Sequence, residues 1–168
     1  MNKNFIEVGV RIKKLSLLRR IELNKICAEA GLYPGQIHIL EFIRIKNGCT
    51  QKEIADALGV TPASIATSTK RLQKAGLVEK QADKDNLRNN MLSVTEKGLV
   101  LAEKCHEGFD QLDNKLYSGF SEEDLTKLKG YLDRLINNIS EGKDVGLDFF
   151  TMAALRNKAE NQHQGVNK

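Results

Sequence analysis

The segment from Thr50 to Lys97 (TQKEIADALGVTPASIATSTKRLQKAGLVEKQADKDNLRNNMLSVTEK) constrains the fold more than any other part of the chain. Ile54, Ala57 and Leu58 make the inner face of a short helix. Gly59 ends it, because only glycine enters a left-handed cap without a Cβ penalty. Thr61 is placed to cap a second helix, with Pro62 at its first position, where the missing N–H costs nothing. Ile65, Thr69 and Leu72 form the inner stripe of that helix, and Gly76 closes it. Two short helices joined by a tight turn can set the second into a DNA major groove. Leu77 to Ala82 then reads as a strand, Asp83 to Arg88 as a charged hairpin tip and Asn89 to Val94 as the returning strand. A helix-turn-helix followed by a hairpin is a winged helix.

Helices are expected on both sides of this unit. From Phe5 to Ala30, apolar residues recur at Val8, Ile12, Leu15, Leu18, Ile21 and Ile26, and Gly31 ends the run. A second helix is expected from Tyr33 to Asn47, with Pro34 near its start and Gly48 after its end. Ile37, Ile39, Leu40, Phe42, Ile43 and Ile45 leave it little polar surface, so it should be central and buried on several sides. After the hairpin, Thr95 caps a helix with inner positions Leu99, Ala102, Cys105, Phe109, Leu112 and Leu116. Ser121 opens the next helix, with Asp124 placed as a capping-box acid. Leu125, Leu128, Leu132, Leu135 and Ile139 then repeat at alternating three and four, a seam suited to packed helix pairs, before Gly142. Val145 to Leu155 carries an apolar cluster read as a packing arm, and the end of the chain reads as a disordered tail. The fold class is therefore mainly α with a small β-hairpin wing.

The formal net charge of +4 is unevenly spread: +5 over residues 1–47, +2 over 50–97 and −3 over 98–168. A basic front and an acidic back are expected where one side faces phosphate. No apolar run approaches the roughly 20 residues that span a bilayer, and the N-terminus lacks a signal-peptide core. A cytoplasmic location with no membrane partner is expected. Cys27, Cys49 and Cys105 stand at irregular spacing and are read as small buried hydrophobes. Three scattered histidines make no metal site, and neither a phosphate loop, a nucleophile elbow nor an HExxH pattern is present. Cys105 and His106, adjacent on a helix, point in different directions and cannot act as a nucleophile–base pair. The chain is expected not to be an enzyme and to need no cofactor.

At this level of detail the chain resembles the MarR family of bacterial regulators. GLYPGQIHIL, TQKEIADALGVTPASIATSTKRLQKAGLV, DKDNLR and VTEKG carry the resemblance, in matching order and spacing from about Leu32 to Leu101. It implies a winged helix-turn-helix domain plus a helical dimerisation layer: a dimerisation helix over 1–32, the DNA-binding domain over 33–97, further dimerisation helices over 98–160 and a tail over 161–168. It also implies a homodimer on double-stranded DNA, usually a repressor, released by a small-molecule effector. Carried over residue by residue, the DNA-binding positions are Thr50, Gln51, Pro62, Ala63, Ser64, Ala66, Thr67, Lys70, Arg71 and Arg88. Ser64 and Thr67 can meet base edges or phosphates, Ala63 and Ala66 thymine methyls, and Lys70 and Arg71 phosphate. Arg88 would enter the minor groove from the wing. Thr67 stands where many members carry arginine, and Leu87 precedes Arg88 where wings often carry an arginine pair. The effector would sit between winged lobe and dimer layer, against Leu15, Arg19, Ile37, His38 and Glu41. Two other readings compete: a winged-helix protein-interaction module with weak or lost DNA binding, and a cysteine-based redox-sensing regulator. The peroxide-sensing branch carries its cysteine near the start of the first long helix, where this chain has none.

Overall fold

Eight elements follow one another in a computed structural model that describes residues 2–33, 35–82 and 90–142: α1 (Lys3–Glu29), α2 (Gln36–Ile45), α3 (Gln51–Leu58), α4 (Pro62–Lys74), β1 (Val78–Ala82), β2 (Asn90–Val94), α5 (Glu96–Leu116) and α6 (Glu122–Ser140). The architecture is the expected one, mainly helical with a two-stranded antiparallel hairpin. The hairpin tip with Arg88, the Val145–Leu155 cluster and the tail lie outside the described residues.

Local chemistry sets most of the boundaries. Thr50, Thr61, Thr95 and Ser121 each accept a hydrogen bond from the backbone N–H of the third residue in the helix they cap. Thr50 and Ser121 add the reciprocal bond, with Glu53 and Asp124 accepting from the cap backbone N–H. Gly59 takes the left-handed conformation that turns the chain from α3 into α4. The second helix is shorter than expected at both ends. Gly35 sits at φ +84° and Lys46 leaves helical geometry, so Tyr33 belongs to the preceding loop and Ile45 is two-thirds exposed.

The core lies around α2, which packs on α3, α4, α5 and β2. Leu40, Ile43, Ile54, Ile65, Leu72 and Leu92 are its largest fully buried residues, each worth about 1.5–3 kcal/mol of burial. Two inner-face expectations need correction. On α3 the residue beside Ile54 that goes inside is Ala55, and Ala57 is only half-buried, because α3 is wedged between α2 and α4. On α5, Leu99 is exposed and Gly98 takes its place. A Cβ on Gly98 would run into the Leu77 carbonyl oxygen and stand 2.7 Å from Val94 Cγ1, so only glycine lets the wing base approach the helix. The α6 seam is not buried within the chain: Leu132, Leu135 and Ile139 are all exposed.

The hairpin has an unanticipated third participant. β1 and β2 pair from Val78↔Val94 to Ala82↔Asn90, and Cys49 forms an isolated antiparallel bridge with Leu92. Leu92 N–H donates to Cys49 O at 2.8 Å, so the loop leading into α3 is stitched to the wing. No helix among the described residues is long and apolar enough to cross a membrane.

Candidate nucleic-acid interface

Helix α4 divides as its periodicity requires. Ile65, Thr69 and Leu72 are buried, and Pro62, Ala63, Ser64, Ala66, Thr67, Lys70 and Arg71 are exposed along the opposite face. Thr61 and Pro62 start the helix, and Ser64 N–H is taken up by the Thr61 hydroxyl. The Thr67 hydroxyl donates back to Ala63 O at 3.0 Å, which leaves the exposed hydroxyl oxygen able to accept. The exposed face is small and weakly polar at its N-terminal end and cationic at its C-terminal end, through Lys70, Arg71 and Lys74. Small side chains suit close approach to base edges and cations suit the phosphates beside them.

Thr50 and Gln51 stand at the start of α3, but their side chains are already engaged. Thr50 Oγ1 accepts from Glu53 N–H and donates to Glu53 Oε2, at 3.2 and 3.0 Å. Gln51 Nε2 donates to Thr69 Oγ1 at 2.8 Å, and that hydroxyl donates to Ile65 O at 2.8 Å. The buried Thr69 hydroxyl is therefore satisfied on both sides, and Gln51 ties α3 to α4. Lys46 Nζ reaches Glu53 Oε1 at 2.7 Å; together with the Thr50 backbone and hydroxyl it holds the carboxyl at about 2. The T-x-x-E pattern from Thr50 to Glu53 was a readable signal for this box.

Two residues that sequence reasoning missed brace the far end of α4. Tyr33 is one: Arg71 Cζ lies 4.8 Å from the centre of its ring. Gln36, buried at the start of α2, accepts Tyr33 N–H on Oε1 at 2.8 Å and directs Nε2 to Ser68 O at 3.4 Å. Nothing in the local pattern of GLYPGQ marks either contact, since both depend on how the α1–α2 loop meets α4.

The five expected effector residues are spread over two helices. Leu15 and Arg19 are exposed on α1; on α2, Ile37 is in the core and His38 and Glu41 are half-buried. Helix α5 joins the two groups. Arg19 Nη2 meets Asp113 Oδ1 at 3.2 Å, and His106 Nε2 meets Glu41 Oε1 at 2.8 Å; Glu41 also holds Arg44 at 2.8 Å. Burial keeps His38 below its ordinary pKa, against the opposing pull of Glu41. A cleft of about 380 Å³ opens between α1 and α5, floored by Ile26, Ala30, Gly108 and Leu112. None of the five lines it.

The three thiols are buried. Desolvation pushes Cys49 and Cys105 up to about 11 and raises Cys27 as well. Such thiols are poor nucleophiles, which suits packing and disfavours redox sensing. Among the described residues no group of three His, Cys, Asp or Glu could hold a metal ion.

Residues 32–89 match the MarR family. The chain is 30% identical over 105 residues to the HTH-type transcriptional regulator BilQ of Clostridium symbiosum, an alignment covering 62% of this chain and 73% of that protein. It is similar in structure to a point mutant of Staphylococcus aureus MepR bound to an oligodeoxyribonucleotide, with TM-score 0.64 and 22% identity over 79% of this chain and 97% of the other. The YusO protein of Bacillus subtilis gives a TM-score of 0.70 at 18% identity, covering 82% and 99%.

Proposed function

The chain belongs to the MarR family of winged-helix transcription regulators, and from that premise we propose that it binds double-stranded DNA as a homodimer and represses transcription until a small-molecule effector releases it. The observation that carries the DNA reading is the division of α4. A helix anchored by the buried Ile65, Thr69 and Leu72 presents seven outward positions, none of them a large apolar residue and two of them cationic. With Arg88 on the wing, each lobe reads one half-site, and two lobes span successive major grooves.

The dimer reading is supported by what one chain leaves uncovered. On α1, Val8, Ile12, Leu15, Leu18 and Ile21 are each between 41% and 51% exposed, and Val10 and Leu17 on other faces are also exposed. A helix apolar on several faces needs neighbours on several sides. Leu132, Leu135 and Ile139 of α6 supply a second uncovered row. A second copy interlocking residues 1–32 and 98–160 covers both, leaving 33–97 as the DNA-binding lobe.

For the effector, the supporting feature is that Arg19–Asp113 and Glu41–His106 both end on α5. An amphipathic ligand seated among Leu15, Arg19, Ile37, His38 and Glu41 replaces these links with its own contacts and favours a dimer whose lobes are mis-spaced for DNA.

The test is a binding titration of the full chain against the intergenic DNA upstream of its own coding sequence and against a random duplex. Affinity for the former should exceed the latter by at least roughly a thousandfold, and log affinity should fall steeply with log salt. Equal binding to both would move the chain to the protein-interaction class.

A further inference from the structure

We propose that Tyr33, in the loop between α1 and α2, is a positioning residue for DNA binding: its ring holds the Arg71 guanidinium ready for a backbone phosphate. This rests on the DNA-binding reading above. Arg71 lies in the last turn of α4, at the cationic end of the exposed face, where a helix leaving the groove meets phosphate rather than bases. The guanidinium sits over the Tyr33 ring at 4.8 Å. Among the described residues no carboxylate pairs with it.

The kind of support matters. A carboxylate partner would neutralise the charge and occupy the N–H donors. A ring under the guanidinium face restrains the side chain and leaves all five N–H groups at its edge for a phosphate. The ring is itself held. Tyr33 N–H donates to Gln36 Oε1 at 2.8 Å, Tyr33 O accepts from Gln36 N–H at 3.0 Å, and Gln36 Nε2 reaches Ser68 O, three residues before Arg71 on the same helix. Loop and helix start therefore touch α4 about one turn apart, at Arg71 through the exposed Tyr33 ring and at Ser68 through the buried Gln36 side chain. A tyrosine more than half exposed does little for the core, so the stack is its structural occupation. Restraining a long side chain in advance removes the ordering cost that binding would otherwise incur, worth about two- to tenfold in affinity for each half-site engaged.

The test uses the full-length chain and a duplex that the wild-type protein selects from a random-sequence pool. Tyr33→Leu should weaken binding by about two- to tenfold per half-site while melting close to wild type, and Tyr33→Phe, which keeps the ring, should restore the affinity. In an Arg71→Ala background, Tyr33→Leu should cost nothing further, because the two residues act as one unit. Loss in Tyr33→Phe equal to that in Tyr33→Leu would overturn the proposal in favour of a direct hydroxyl contact. An undiminished cost in the Arg71→Ala background, or an unchanged affinity in Tyr33→Leu, would overturn it too. If the wild-type chain selects no duplex, the DNA reading itself fails, which separates the two failures.

Discussion

Gly98→Ala is the substitution whose consequence the structure defines most sharply. A methyl group there would lie far inside an ordinary van der Waals contact with the Leu77 carbonyl oxygen, and 2.7 Å from Val94 Cγ1. The oxygen cannot retreat alone, because it accepts Thr95 N–H at 3.1 Å. Thr95 in turn caps α5, accepting Gly98 N–H at 3.1 Å and donating to Gly76 O at 2.7 Å. Overpacking of this kind costs about 1–3 kcal/mol, and this clash, against fixed backbone, belongs at the upper end. A weakened cap adds about 1 kcal/mol. Alanine returns about 1 kcal/mol through its better helix propensity. The net expectation is about 2–3 kcal/mol of destabilisation, or about 5–10 °C in Tm for a chain of this size. Gly130→Ala is the matched control: it sits in α6 with nothing within 4 Å of the new methyl. It should be neutral or stabilising by up to about 1 kcal/mol. Both are compared with wild type by thermal unfolding at one fixed concentration, since the stability of the proposed dimer depends on it. A Gly98→Ala protein that melts at or above wild type would refute the assigned close approach of wing base and α5.

Other outcomes are equally checkable. The Glu53 carboxyl, held from its ordinary 4.5 to about 2, contributes stability that is present above 4.5 and is lost as pH falls towards 2. Because the pair with Lys46 is substantially exposed, Glu53→Gln should cost no more than about 1 kcal/mol at pH 7 and flatten the acid limb of the stability curve; an unchanged acid limb counts against the box. The native chain should resist alkylation by a thiol reagent until denatured, since Cys27, Cys49 and Cys105 are buried with raised pKa values; stoichiometric native labelling, or peroxide-driven DNA release abolished by one cysteine change, would restore the redox reading. Leu132→Ala with Leu135→Ala should loosen or unfold the assembly, each truncation costing about 2–5 kcal/mol and counting twice in a twofold dimer. Light scattering that finds a stable wild-type monomer would remove the two-half-site mechanism.

What was legible in the sequence was whatever a few adjacent residues decide. Thr61, Pro62 and Gly59 mark the turn between α3 and α4 because cap and left-handed preferences act over two or three positions. The α4 stripe of Ile65, Thr69 and Leu72 follows from helical periodicity alone. The misses share a different origin. Leu99 is the better hydrophobe, yet it is exposed, because the wing base arrives against Gly98 and rotates the inner face of α5 onto a residue without a side chain. Gln51 looks like a free amide at a helix start, but Thr69, 18 residues on, claims it. Cys49 is buried as its residue type implies, but its backbone bridge to Leu92, 43 residues on, has no local signal. Tyr33 and Arg71 meet only because a loop and a helix 38 positions apart are brought together. Each of these depends on where a distant segment lies, which no window of local pattern contains.

Helix α5 is where the proposed switch must be decided. Its first turn abuts the wing base at Gly98, its middle reaches α2 through His106, and Asp113 near its end reaches α1. One helix of 21 residues thus runs from the winged lobe to the proposed dimer layer as a single rod of about 30 Å. The Arg19–Asp113 ion pair and the His106–Glu41 hydrogen bond that steady it are at least partly exposed, and together they contribute no more than about 2 kcal/mol. Breaking both shifts a conformational equilibrium by only about thirtyfold. The apolar packing of Ala102 and Cys105 against the core, and of Gly108 against Ile26, is the stronger attachment and survives the loss of both pairs. An effector therefore cannot detach the lobe by competing for Arg19 and His106 alone. It must add buried apolar contacts that exist only when α5 has pivoted about that packing, so ligands with a charged group but no apolar body should bind without releasing DNA.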